Sequence, residues 1–344
     1  MFSPDLTPTQ HVARREALAQ VTRRGDLGES CRIIDEDIVD PIRDQFLDGH
    51  RLSGTEFKGV VNRLREVLSG FGPAVLNEAN RSPTRTRPKG EEHEFSSLVR
   101  GASIQGRGGY EIGGITLHVS RRRLNYSLES SGTYITRHLL ERSIERGLAS
   151  WTGRLAEVED TVLDTMGLAA VWKRAFEAGM TTDRRVALPY GSGLIYGVMV
   201  PEDRPRPSGY LVVSGSRLQS VSEPNPFLAH PRISANSSTD VVLRTAIDGD
   251  SLSLDQCDLR DALARFCSAH EDILSSIRRG ALWRRSVLTP PRPYDEMAPH
   301  MDTLAERLVS FLGRPGPRNA LRGRKEDAMA EEYACEDVSS PGPR

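Results

Sequence analysis

The residue types best suited to chemistry cluster in one short stretch, Thr136-Arg137-His138-Leu139-Leu140-Glu141-Arg142-Ser143-Ile144-Glu145-Arg146-Gly147. His138, Arg142 and Arg146 recur every four residues, so on a helix they form a slowly drifting stripe, with Leu140, Ile144 and Leu148 forming another. An imidazole that titrates near neutrality can pass a proton, and a guanidinium one turn away can stabilise charge developing on phosphate oxygens. That pairing suits phosphodiester cleavage without a metal. The flanking sequence is positive: residues 81–155 hold thirteen basic and seven acidic side chains, a net of +6, including Arg121, Arg122 and Arg123. The same residues also fit an ordinary surface helix. Arg146-Gly147 repeats the cation-then-glycine stop of Arg24-Gly25 and Arg279-Gly280, and His138 and Arg142 lie nearly opposite Leu140 and Ile144, as a solvated face would.

Other constellations carry less. The glycine-rich run of residues 105–114 lacks the Gly-Lys-Ser/Thr of a phosphate-cradling loop and reads as a turn into a strand. In Tyr190-Gly191-Ser192-Gly193-Leu194 the glycines adjoin the serine instead of lying two residues away, so this is a hairpin turn and not a nucleophile elbow. The eight histidines are scattered, giving no metal-ligand spacing and no cofactor motif. His118, at a polar position of an alternating strand, is expected to be exposed. Trp151, Trp172 and Trp283 are expected to anchor cores. Cys31, Cys257, Cys267 and Cys335 form neither a disulfide framework nor a zinc knuckle, which favours a reduced, cytoplasmic setting.

The His-x-x-x-Arg-x-x-x-Arg-Gly helix, followed by short strands ending in Val241-Val242-Leu243-Arg244-Thr245, resembles the helix-then-sheet plan of small RelE- and barnase-like ribonuclease toxins. The resemblance spans residues 134–247, about a third of the chain, and those toxins are smaller and more basic. It implies His138 as general acid–base, Arg142 as phosphate partner, and Arg244 or Thr245 as a contribution from the last strand.

Capping boxes at Thr7-Pro8-Thr9-Gln10, Ser53-Gly54-Thr55-Glu56 and Ser253-Leu254-Asp255-Gln256 predict three helix starts. Helices are expected over residues 9–24, 36–47, 54–68, 134–146, 155–177, 254–279 and 301–312. Ile115, Leu117 and Val119 alternate with polar residues, as do Leu124, Tyr126 and Leu128, so two half-buried strands meet at Arg121-Arg122-Arg123. Further strands are expected over 186–190, 193–200, 210–213 and 241–247. The polar, proline-containing stretch from Arg81 onward reads as a linker. The predicted organisation is therefore a helical region at 1–80, a linker at 81–94, an α+β domain at 95–288, a C-terminal helical region at 289–312 and a disordered tail at 313–344. The later strands have no helices between them, which favours an antiparallel sheet with packed helices over a doubly wound fold.

The chain has 344 residues, 46 basic and 47 acidic, with a formal charge of −1. That balance excludes a globally basic nucleic-acid wrapper. Arginine outnumbers lysine 42 to 4, but the arginines are spread along the chain rather than gathered on one element, which is the mark of compositional bias. No apolar run approaches the length of a membrane span, and no secretory signal opens the sequence. Two functions follow as expectations. One is a non-enzymatic binding module for an unidentified macromolecular partner, contacted through the N-terminal third and the tail. The other is a metal-independent nuclease acting on RNA through His138 and Arg142.

Overall fold

The hairpin foreseen at Arg121-Arg122-Arg123 lies at the middle of the sheet in a computed structural model of the chain. The structure describes residues 39–70, 77–81, 90–102, 109–145, 154–202, 207–214, 217–224 and 238–322, with Val12, Arg15 and Glu36 as single positions. In chain order the elements are α1 (Asp40–Leu47), α2 (Gly54–Gly70), β1 (Asn77–Arg81), β2 (Glu92–Ala102), β3 (Gly109–Ser120) and β4 (Arg123–Thr136). There follow α3 (Arg137–Glu145), α4 (Arg154–Glu177), β5 (Arg185–Tyr190), β6 (Gly193–Glu202), β7 (Pro207–Ser214), β8 (Arg217–Pro224) and β9 (Ser238–Ile247). Last come α5 (Leu254–Ala269), α6 (Glu271–Trp283), α7 (Tyr294–Leu312) and α8 (Pro315–Arg322). The predicted α+β class, with its mostly antiparallel sheet and packed helices, is the one observed.

The sheet runs β1-β2-β3-β4-β9-β6-β5, with β7 also on β4 and β8 on β7. β4 is forked. Its first half, Arg123 to Leu128, pairs antiparallel with β7, whereas Thr133 to Ile135 pair parallel with β9. The change of partner coincides with a bulge: Gly113 faces Ser130 and Ile112 faces Thr133, so Ser131 and Gly132 are extra residues. Glu111 pins them. Gly132 N donates to Glu111 Oε1 at 2.8 Å, the Ser130 hydroxyl donates to the same oxygen, and Tyr134 OH donates to Oε2 at 3.2 Å. Ser131 donates to the Ile112 carbonyl. Gly132 turns the chain at φ +61°, where a side chain would be strained.

Two cores form. Phe46, Phe57, Leu64 and Leu68 of α1 and α2 pack on Phe95, Ile115, Leu117 and Leu124, the apolar face of the hairpin. A larger core joins Ile135, Leu188 and Leu243 of the sheet to Leu139, Met166, Trp172, Ile277 and Leu308 of the later helices. Two capping boxes close as expected: Ser53 N donates to Glu56 Oε2 at 2.7 Å with Glu56 N returning to Ser53 Oγ at 3.2 Å, and Ser253 and Gln256 make the same reciprocal pair.

Several boundaries differ from expectation. The predicted helix over 134–146 begins later, because residues 134–136 finish β4 and the Thr136 hydroxyl accepts from Leu139 N as the cap of α3. The predicted helix over 254–279 breaks at His270 into α5 and α6, and Gly280 lies inside α6. The expected linker over 81–94 is flanked and partly replaced by strand, with Arg81 opposite Glu92 in the β1–β2 pair. The helical region is consequently a layer on the same sheet rather than a separate bundle. α7 starts at Tyr294, ahead of the expected 301, and the region expected to be disordered from 313 opens with α8, whose Ala320 and Leu321 are buried. The helix expected over 9–24, apart from helical Val12 and Arg15, lies outside the described residues, as do residues 82–89, 146–153 and 323–344.

Helix α6 crosses β3 with backbone against backbone, so a Cβ on Gly114 would overlap the Leu282 carbonyl. Gly59, exposed on α2, has open space around it. Gly114→Ala should therefore lose about 2 kcal/mol or more of unfolding free energy through overpacking, whereas Gly59→Ala should gain about 0.5–1 kcal/mol from helix propensity. Urea denaturation of both variants checks the pair.

Candidate functional site

The face of β2–β4 opposite α1 and α2 is polar yet buried. Register sets its rows across the three strands: Glu94 beside His118 and Asn125, Ser96 beside Thr116 and Ser127, Leu98 beside Gly114 and Glu129. Alternation places all these positions on one side of the sheet. Glu94, Ser96, Thr116, His118, Ser127 and Glu129 are each at most 6 % exposed. The cover is the end of α6 and the strap of residues 284–291 that follows it.

The strap is held by charge-assisted hydrogen bonds. Glu94 accepts from Ser286 Oγ and Val287 N, each at 2.5 Å, and from Leu288 N at 3.0 Å, with Thr289 Oγ1 at 3.4 Å. Arg284 Nε pairs with Glu129 Oε1 at 3.2 Å, and both side chains are almost fully enclosed. Trp283 Nε1 donates to the Ser97 carbonyl at 3.2 Å, fixing where the strap begins. Beyond it, Arg174 forks onto Asp302 at 2.6 and 3.0 Å and donates to Tyr294 OH at 3.2 Å, anchoring the start of α7.

Under this strap, Thr116 Oγ1, Ser127 Oγ and both ring nitrogens of His118 are sealed from solvent without a hydrogen bond. His118 Nε2 comes only within 3.7 Å of Glu92 Oε2. The expectation that His118 is exposed is thus corrected: its strand face is polar, but the side chain is only 2 % accessible, beside the Glu94 that the strap holds. Burial holds His118 below its ordinary value of 6.5, outweighing the nearby Glu92 and Glu94 carboxylates, which favour the charged form. A buried group without a partner costs roughly 1–3 kcal/mol. Thr116 and Ser127, on neighbouring positions with His118 beside them, make a local penalty in a patch whose buried carboxylates, Glu94 and Glu129, are supplied with donors.

A second buried charged group sits at the fork. Lys173 Nζ and Asp240 Oδ1 both lie 3.1 Å from the place a Gly132 Cβ would occupy. Glu177 is raised above its ordinary value by burial, opposed by Lys173 and by hydrogen bonds from Thr239.

The residues expected to do chemistry are distributed around α3 and β9. His138 is exposed, with Nδ1 3.9 Å from Glu141 Oε2, while Arg142, one turn on, is half-buried. Helix α3 packs along β9. Its cap, Thr136, donates to the Leu243 carbonyl at 2.9 Å and lies 3.4 Å from that of Arg244. Arg244 is itself the extra residue of a bulge, since Gly197 pairs with Leu243 and Tyr196 with Thr245. Both Arg244 and Thr245 are half-buried. Arg146 lies outside the described residues. Trp172 and Trp283 are buried as expected, and Trp151 is not among the described residues. Cys257 and Cys267 are free thiols, and burial pushes Cys267 up to about 11, so it carries no thiolate near neutrality. Among the described residues no cluster of His, Cys, Asp or Glu side chains could hold a metal ion, and no helix is long and apolar enough to cross a membrane.

Comparison with known proteins finds no matching family, no similar curated protein and no similar solved structure.

Because the folded state keeps His118 neutral below the pH at which the unfolded chain takes up a proton, the unfolded state binds more protons as pH falls through 6.5. Stability should therefore decline on acidification from about pH 7 toward the lowered folded-state value and then level off. Urea midpoints measured from pH 7.5 to about 5 should show this slope, reduced in His118→Gln. An unchanged slope in that variant would assign it to other groups.

Proposed function

We propose that the protein is a non-enzymatic binding module whose site is the strap-covered polar face of β2–β4. One observation carries this reading: the Thr116 and Ser127 hydroxyls stand side by side, buried and without hydrogen bonds, next to a buried His118 whose ring makes only a 3.7 Å approach to Glu92. Groups whose burial opposes folding persist where they serve a bound state. Binding is favoured over covalent catalysis because the Ser127 hydroxyl and the His118 imidazole are not hydrogen-bonded to each other, which leaves no activated nucleophile. Glu94 is engaged by the strap and Glu129 by Arg284, so neither stands as a general base. The site also differs in place from the one expected in the N-terminal third, whose helices spend their apolar faces in the second core.

A second reading retains the RNA-cleaving nuclease with His138 as general acid–base, Arg142 as phosphate partner and Arg244 or Thr245 as the strand contribution. The packing of α3 along β9, joined at Thr136, and the bulge that re-aims Arg244 support it.

Removing a hydroxyl reserved for a ligand relieves the empty protein. Thr116→Val and Ser127→Ala should each raise unfolding free energy by about 1 kcal/mol. A loss of similar size in both would show that the hydroxyls belong to the fold and would remove the binding reading. For the nuclease, wild-type protein should cleave RNA in chelator and a folded His138→Ala variant should not; an inert wild type ends that alternative.

A further inference from the structure

Thr116 Oγ1, Ser127 Oγ and the His118 ring nitrogens are sealed from solvent beside the Glu94 and Glu129 carboxylates that the strap holds, so a ligand reaches them only when the strap moves. It is fixed at both ends, by the Gly114–Leu282 and Trp283–Ser97 contacts on one side and by the Arg174 fork on the other. Its middle, Ser286 to Thr289, is held to the sheet through Glu94. A strap anchored at two ends and held to the sheet at Glu94 and Glu129, with Arg279 also donating to the Thr289 carbonyl at 2.8 Å, can bow outward when these bonds are released.

The groups beneath it define what can bind. Thr116 and Ser127 are direct cross-strand neighbours, about 5 Å apart at Cβ, and His118 lies two residues along β3, about 7 Å away. That footprint fits one small ring. Each hydroxyl can both donate and accept, and a neutral imidazole offers one nitrogen of each kind, so the set matches groups that also do both. Charge narrows the class further. A phosphate or carboxylate would stand among Glu92, Glu94 and Glu129, and an ammonium would compete with Arg284 for Glu129 and with the strap for Glu94.

We infer that the ligand of this face is a small uncharged molecule carrying several hydroxyl groups, admitted when residues 284–291 lift from Glu94 and Glu129. This rests on the binding-module reading. On entry the ligand's hydroxyls supply partners to Thr116, His118 and Ser127, and the strap closes over it with the Glu94 and Glu129 bonds remade.

The test uses the full chain and three neutral probes, myo-inositol, ribose and glucose, beside sugar phosphates, sugar acids and amino sugars. At about 10 mM, too dilute for general osmolyte stabilisation, at least one neutral probe should raise Tm saturably by about 2 °C or more. The charged probes should not, and Thr116→Val/Ser127→Ala should abolish the rise. Loosening the Glu94 bonds by Ser286→Ala should speed association about tenfold, followed through Trp283 fluorescence. A charged probe that shifts the wild type but not the double variant overturns the ligand class while leaving the binding module standing. Neutral probes that shift neither protein, or both equally, also overturn the class. An unchanged association rate in Ser286→Ala overturns the strap as the way in. The binding reading itself falls only with the stability measurement on the single hydroxyl variants.

Discussion

The architecture depends on one carboxylate. Glu111, reaching from β3 to Ser130, Gly132 and Tyr134, holds two extra residues in β4 and so decides where that strand stops pairing with β7 and starts pairing with β9. Both cores meet β4: Leu124 belongs to the smaller, and Ile135 to the larger. An insertion of two residues preserves the side-chain alternation, so the face that carries Asn125, Ser127 and Glu129 before the bulge continues as Thr133 and Ile135 after it. A single continuous face thereby changes from polar to apolar along its length. The polar half is covered by the strap and the apolar half by helices.

That division explains how buried polar groups persist. Glu94 and Glu129 are satisfied by the strap, and their hydrogen bonds make the cover adhere where no apolar surface is available. On this face the cost falls at Thr116, His118 and Ser127. Helix α6 meets β3 directly beside them because Gly114 lets the Leu282 backbone lie against the strand, which sets the height at which the strap leaves the helix. Specificity of position thus comes from a glycine, while adhesion comes from a glutamate.

Much of the fold was legible in the sequence where one side of an element is apolar. The β3–β4 hairpin and the β5–β6 turn at Gly191-Ser192 follow from alternation and turn chemistry, and the capping boxes at Ser53 and Ser253 close as their spacing predicts. Strand β2 was not legible for a physical reason. Glu92-His93-Glu94 reads as the end of a linker and no strand is expected over Phe95-Ser96-Ser97-Leu98, because one face of β2 is the polar patch, so the feature that makes it interesting also removes its apolar signal. His118 was misjudged on the same ground: periodicity separates a polar face from an apolar one but is silent on whether something covers it. The break at His270 carries neither proline nor glycine, and Gly280 continues a helix because its neighbours pack. Of the candidate chemistry, the one-turn spacing of His138 and Arg142 and the packing of their helix along β9 were foreseeable, while the bulge at Arg244 depends on pairing with β6 and leaves no local mark.

The parallel seam between β4 and β9 bears on how the chain assembles. The Thr136–Leu243 hydrogen bond that joins the seam to α3 spans 107 residues. Closing a loop of that length carries an entropic penalty on the order of 4 kcal/mol before any contact repays it. By contrast, α1, α2 and the β2–β3–β4 meander lie within residues 40–136 and meet through short connections. The contacts among these elements need no residue beyond 136, whereas the parallel side of the fork in β4 has its partner only once residues 238–247 are present. The local contacts thus lie on one side of the seam and the long-range ones on the other, with the Glu111-held bend marking where β9 docks.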